Sequence, residues 1–257
     1  VKLGLVGFPV AHSLSPGIHE LFLREFGIEG SYELLPTPPE SLPMVLEVLR
    51  NGTFHGLNVT MPFKRRVFGL CDLKTTAADT SGVVNALKAE GSHLLGHDTD
   101  TEAFSFEASD LSSPFIVVGA GGASRAVCAA LGGRECRVFT REPSDALHIP
   151  LSRAARYLAG TVGTIVNATP LGWRDDDPFP VTPPEGWTFM DLNYNPGWRW
   201  RNDLRRRGIP VITGESMLVR QAALSFSFWT GLTVRDELFR AALKTVRRFS
   251  GDTQLAR

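Results

Sequence analysis

Apolar residues recur along this chain in two alternating rhythms, one of strands and one of helices. Residues 2–7 form a mostly apolar run that predicts a buried strand, and residues 16–26 switch to helical spacing at Ile18, Leu21, Phe22 and Phe26. Residues 31–36 read as a strand, and residues 39–50 place Leu42, Val45, Leu46 and Leu49 on one helical face. A third strand follows at 55–59, and Pro62 stands where a helix would start. Segments 83–89 and 93–96 flank Gly91-Ser92 and predict a hairpin or two short strands.

A second block begins near Ser113. The apolar run 114–118 leads into Gly119-Ala120-Gly121-Gly122-Ala123-Ser124, then helical spacing to Leu131 and a strand at 136–140. Further strands are predicted at 164–168, 189–192 and 210–213, and helices at 215–229 and 235–248. The run 198–207, with five Arg, reads as one face of a solvated helix. Strands alternating with helices predict an α/β fold of two domains, 1–102 and 103–214, with the helices of 215–257 returning to the first.

Composition narrows the partners. Among 257 residues, 27 basic and 27 acidic side chains cancel, so no basic surplus points to nucleic acid. A hydrophobic content of 43% supports a substantial core and excludes a disordered chain. The opening VKLGLVGFPV turns polar too soon for a signal peptide, and no apolar run approaches the roughly 20 residues that span a bilayer. A cytoplasmic protein without nucleic-acid or membrane partners is expected. Cys71, Cys128 and Cys136 make neither a CxxC nor a disulfide framework. All three are expected to be buried small hydrophobes, and no metal site is expected.

The run from Phe115 to Ser124 has the order strand, glycine-rich turn, helix that a dinucleotide needs. Gly119 permits the tight turn, Gly121 lets a pyrophosphate approach the backbone, and the helix start offers amide donors. Ser124 takes the place of the third glycine of G-x-G-x-x-G and is small enough for close helix packing. The end of the next strand, Thr140-Arg141-Glu142, favours NADP, since Arg141 can pair with a 2′-phosphate, while Glu142 points toward NAD.

The first half holds polar groups in apolar surroundings. Ser13 and Ser15 follow a strand and either present two hydroxyls to one side or cap a helix. Asn58 and Thr60 project to one side of a strand end, and Lys64 sits just inside a helix start, against the macrodipole. Asn85, Asp98 and Asp100 add an amide and two carboxylates, one of which could cap a helix. A small polyhydroxy acid would need such groups, with a Lys/Asp pair handling the proton that moves as hydride leaves an alcohol carbon.

HSLSP at 12–16, NVTMPFK at 58–64, VVNA at 83–86 and DTD at 98–100 resemble the shikimate dehydrogenase family. So do GAGGAS at 119–124, NATPLG at 167–172, DLNYNP at 191–196, MLVRQAA at 217–223 and WTG at 229–231, in the family's order over nearly the whole chain. The resemblance implies an N-terminal substrate-binding and catalytic domain, a Rossmann-type NADP-binding domain, and NADP-linked reduction of 3-dehydroshikimate to shikimate. By that resemblance Lys64 and Asp100 form the catalytic pair, and Ser13 and Ser15 bind the substrate carboxylate. Asn58, Thr60, Asn85 and Gln221 bind its hydroxyls and ring, and Tyr194 approaches it. Gly119, Ala120, Gly121, Gly122, Ala123, Ser124, Thr140 and Arg141 hold the cofactor.

A lysine ammonium ordinarily keeps its proton well above neutrality. Lys64 is therefore either strongly desolvated and an acid, or a fixed cation that stabilises alkoxide character. Departures from the family pattern include Asp98 for Asn, Ala86 for Thr, Thr140 and Glu142 around Arg141, Arg199 for Thr, and Glu215-Ser216 before Met217. An NAD-linked quinate/shikimate dehydrogenase and a non-catalytic ligand-binding paralogue are the competing readings. The oligomeric state is not legible, and a homodimer stays open.

Overall fold

The computed structural model describes residues 1–249, and the chain divides into two compact units. One joins Val1–Ala103 to Leu218–Val246, and the other contains Phe104–Met217. The first begins with β1 (Lys2–Gly7), α1 (Ser15–Glu25), β2 (Ser31–Pro36), α2 (Leu42–Arg50) and β3 (Gly56–Val59). It continues with α3 (Lys64–Phe68), β4 (Leu73–Lys74), α4 (Thr76–Ser81), β5 (Ala86–Glu90), β6 (His93–His97) and the start of α5 (Thr99–Glu107). Its six strands lie in the order β2-β1-β3-β5-β6-β4, with β5 running against both neighbours. Alternation along β1 feeds two cores: Leu3 and Leu5 pack with Phe22, Val219 and Phe226, while Val6 joins Leu46, Leu57 and Val59.

The second unit holds β7 (Phe115–Val118), α6 (Gly122–Leu131), β8 (Cys136–Thr140), β9 (His148–Pro150), α7 (Ala154–Leu158) and β10 (Thr164–Asn167). β11 (Thr188–Asp191), α8 (Arg199–Arg206) and β12 (Val211–Thr213) complete it. All its strands are parallel, in the order β12-β11-β10-β7-β8-β9. The strand order reverses between β7 and β10, which is the doubly wound, Rossmann-type arrangement with a crevice at the switch point. α9 (Glu215–Thr230) and α10 (Asp236–Phe249) follow, and from Leu218 to Val246 the chain is back in the first unit. The last part of the expected return, residues 250–257, lies outside the described residues. Among the described residues, no helix is long and apolar enough to cross a membrane.

Several local expectations are corrected. Pro62 does not open a helix: Met61-Pro62 is a cis bond within a turn, and α3 starts at Lys64. The strand expected at 83–89 begins only at Ala86, because the Val84 amide turns aside to the Lys64 carbonyl. The 198–207 run is not uniformly solvated, since Arg201 is wholly buried and paired with Asp191 at 3.0 Å. Cys71 is buried, but Cys128 and Cys136 are half-buried, with sulfurs 3.7 Å apart.

His19, on α1, is wholly buried and stacks on Tyr32 with ring centroids 4.4 Å apart. Burial lowers its pKa to about 3, against the pull of the Asn58 amide. The folded state therefore resists a proton that the unfolded chain accepts below about 6.5. Stability is full above that pH and declines as pH falls toward 3, by about 3 kcal/mol at pH 4. Chemical denaturation of His19→Phe should show a correspondingly smaller loss between pH 7 and 4 than the parent. Parallel stability curves for the two proteins would refute this.

Candidate active site

The topology of the first sheet gathers its polar groups at one edge. β1, β3 and β6 end there, and β5, running the other way, begins there. The segments leaving β1, β3 and β6 carry Ser13 and Ser15, Thr60 and Lys64, and Asp98 and Asp100, while Asn85 precedes β5. Positions far apart in the sequence thus share one end of a rigid scaffold.

Lys64 and Asp100 are brought together. The Lys64 ammonium lies 2.5 Å from Asp100 Oδ2, with side chains 17% and 8% exposed. Partial burial strengthens this pair relative to a surface one. Asp98, immediately before α5, accepts the Asp100 amide at 3.0 Å through Oδ1 and the Thr101 hydroxyl at 2.6 Å through Oδ2. Of the two carboxylates, Asp98 therefore caps α5 and Asp100 is left to face Lys64.

The two serine hydroxyls also meet. Ser13 Oγ donates to Ser15 Oγ at 3.1 Å and accepts the Ser15 amide at 3.2 Å. The N-cap position of α1 is Leu14, without a side-chain cap, so the capping alternative does not account for both hydroxyls. Thr60 anchors by its amide to the Val6 carbonyl, and Gly7 makes room for it, since a Cβ there would lie 2.3 Å from Thr60 Cγ2.

Asn58 and Asn85 are buried struts, and Asn85 has bonding capacity left over. Asn58 uses both amide protons, on the Asn85 carbonyl at 3.0 Å and Ser225 Oγ at 2.8 Å, and accepts from the Tyr32 hydroxyl at 2.9 Å. The same amide acts on the buried His19 imidazole. Asn85 donates to Thr99 Oγ1 and accepts twice at Oδ1 from Thr99, which leaves one N–H. Gln221, on α9, donates to the Leu218 carbonyl of its own helix at 2.8 Å. Tyr32, Thr99 and Ser225 escaped the sequence reading. A serine inside an otherwise apolar helical stretch was the available signal for Ser225.

The glycine-rich turn lies in the second unit. Gly119 has φ +116°, and a Cβ there would lie 2.7 Å from the Ala168 carbonyl oxygen, so the fold itself demands glycine. Gly121 is different: a Cβ there would meet nothing within 4 Å, which leaves the backbone open to an approaching group. Ala120 precedes it in the turn, and Gly122, Ala123 and Ser124 form the first turn of α6, which has no side-chain cap. Ser124 is buried, as close packing at that position requires. Thr140 ends β8, and Arg141 and Glu142 are exposed beyond it. Arg141 borders a shallow concavity with Pro150, Leu151, Ser152 and Pro180.

Tyr194 is in this second unit, edge-on to Trp173 at 5.0 Å. Its loop is braced by a network the sequence did not reveal. Asp191 accepts from Asn167 Nδ2 and the Asn193 amide, while Asn193 and Asn195 side chains donate to carbonyls of 169, 171, 172 and 173. Burial pushes the Asp191 carboxyl up to about 6, while Arg201 pulls it back down.

The comparisons with known proteins agree over both units. Residues 5–87 match the shikimate dehydrogenase substrate binding domain, and residues 214–244 match the shikimate 5′-dehydrogenase C-terminal domain. The chain is 38% identical to a shikimate dehydrogenase (NADP(+)) of Thermus thermophilus over 246 residues, covering 90% of this chain and 93% of the relative. It is 38% identical to the Rubrobacter xylanophilus protein of the same name, with 94% of each covered. The crystal structure of a Thermus thermophilus shikimate 5-dehydrogenase in complex with NADP(H) and shikimate superposes with TM-score 0.82, at 35% identity, over 96% of this chain and 99% of the other. With a Rossmann-type sheet, a Lys–Asp pair at the edge of the other sheet and relatives aligned almost end to end, the chain belongs to the shikimate dehydrogenase family.

Proposed function

We propose that this chain catalyses the NADP-dependent, reversible reduction of 3-dehydroshikimate to shikimate, a step toward the aromatic amino acids. The observation that carries the reading is the Lys64–Asp100 contact at 2.5 Å, in the unit that also holds Ser13, Ser15, Asn58, Thr60 and Asn85 and matches a shikimate dehydrogenase substrate binding domain. NADP suits the second unit: the backbone at Gly121 is open, the start of α6 is uncapped, and Arg141 is exposed for a 2′-phosphate. When bound, the cofactor supplies or accepts the hydride.

The chain's own residues handle the rest. The Lys64 ammonium faces the substrate oxygen that changes between carbonyl and alcohol, stabilises charge on it and exchanges its proton. Asp100 holds that ammonium in place. The paired hydroxyls of Ser13 and Ser15 receive the substrate carboxylate, and a helix start without acidic residues in its first turn leaves that anion unopposed. The spare donor of Asn85 matches a ring hydroxyl, and Asn58, Thr60 and Gln221 are assigned to the remaining hydroxyls and the ring. Tyr194 is assigned to substrate and Gly119–Ser124, Thr140 and Arg141 to NADP. These groups fit one small carboxylic acid with hydroxyls better than an apolar ligand.

The direct test follows NADPH absorbance with 3-dehydroshikimate, and NADP+ or NAD+ reduction with shikimate and quinate. Turnover with kcat/KM at least about tenfold higher for NADP+ than for NAD+, and for shikimate than for quinate, is expected. A folded protein inert toward every pair would reject the reading. Better use of NAD+ would reject the cofactor assignment alone.

A further inference from the structure

Asp98 is harder to explain than Asp100. Its side chain is wholly buried, and burying a carboxylate is costly unless something specific compensates. Its work as a helix cap does not require a charge, because the amide oxygen of an asparagine accepts the same Asp100 N–H. The ionisable neighbours that act on it are Asp100, on α5, and Lys64, on α3. The hydroxyls of Thr101 and Ser81, the latter on α4, bond it as well. His97, next in sequence, is turned away, its Nδ1 2.8 Å from Thr75 Oγ1. One cation therefore serves two carboxylates that are separated by a single residue, and one of these carboxylates grips the backbone of the other.

We propose that Asp98 is a positioning residue for the reaction, which sets both the placement of Asp100 and the charge balance of the Lys64–Asp100 pair through its own buried carboxyl group. This rests on the dehydrogenase reading above. Asp98 acts through two channels. The bond from the Asp100 amide fixes where the first turn of α5 delivers the Asp100 side chain. Its carboxyl group also adds an acidic group beside the one that Lys64 already faces, since both Asp100 and Lys64 act on it electrostatically. Burial, and then the Asp100 charge, hold the Asp98 carboxyl above the ordinary carboxylate range, while the Thr101 and Ser81 hydroxyls and the Lys64 ammonium pull it down. A negative charge here also opposes an anionic substrate, so it tunes binding as well as proton handling.

The test uses the full chain, with Asp98→Asn and Asp98→Ser as two neutral caps. Steady-state shikimate oxidation is measured from about pH 5 to 10, with thermal unfolding recorded for each protein. Both limbs of the kcat profile are expected to move toward acid by about one pH unit in both variants, and KM for shikimate to fall several-fold. A mere capping role would change thermal stability and leave the profile where it was. Superimposable profiles with unchanged KM in folded, active variants overturn the proposal. Loss of folding in both neutral variants also overturns it, since the carboxylate would then serve the fold. A parent protein inert on shikimate at every pH instead refutes the dehydrogenase reading itself, an outcome distinct from both.

Discussion

An Asp100→Asn protein should fold normally and lose kcat by about 100- to 10,000-fold, the range that a positioned proton-handling group contributes. The amide keeps the size of the side chain but removes the charge that holds the Lys64 ammonium 2.5 Å away. Ground-state binding should survive, because the groups assigned to the substrate carboxylate, Ser13 and Ser15, bond to each other and not to Asp100. Shikimate should therefore still raise the melting temperature of the variant while turnover is nearly gone. If kcat falls less than about threefold, Asp100 does not share in the chemistry. Lys64→Arg refines the result: an arginine keeps the cation but does not release its proton. Near-normal activity with an unmoved pH profile in Lys64→Arg would mean that Lys64 serves as a fixed charge and not as an acid.

The second large effect is on stability. Arg201 and Asp191 form an ion pair at 3.0 Å with both side chains essentially unexposed. Removing one member of such a pair leaves the other charge buried and uncompensated, which costs about 3–5 kcal/mol. Arg201→Met should therefore lower the melting temperature by roughly 10 °C for a chain of this size. The double variant Arg201→Met with Asp191→Asn should recover much of that loss, since the asparagine still accepts the Asn193 amide but carries no charge. A single variant that melts within about 2 °C of the parent would show that Asp191 is not dependent on Arg201.

Much of this was legible in the sequence because it depends on local rules. The apolar run at Phe115–Val118 followed by Gly119-Ala120-Gly121 announces a strand and a tight turn, and β7 and α6 stand there. Gly91-Ser92 between two apolar segments announces the turn that joins β5 to β6. Elements without such signals were missed: β4 has two residues, β9 contains a proline, and α4 is a run of small, mostly polar residues. The burial of Arg201 was invisible for a different reason. An arginine in an arginine-rich run looks solvated until the partner across the fold is known, and Asp191 lies on a strand that the helix only later packs against. The site was recognised as a set of polar residues, but its internal wiring was not. Asn58 finds Tyr32 26 positions away and Ser225 167 positions away, distances at which no local pattern carries information.

That last bond has a bearing on the birth of the protein. Ser225 and the apolar residues Val219, Ala222 and Phe226 are needed to finish the first core, yet they are made after the long Phe104–Met217 stretch of the second unit. The long Phe104–Met217 stretch of the second unit can settle while the ribosome is still at work. The first unit must wait with Leu3, Leu5 and Phe22 uncovered until α9 emerges. The core begun by the first strand thus depends on a helix made more than two hundred residues later.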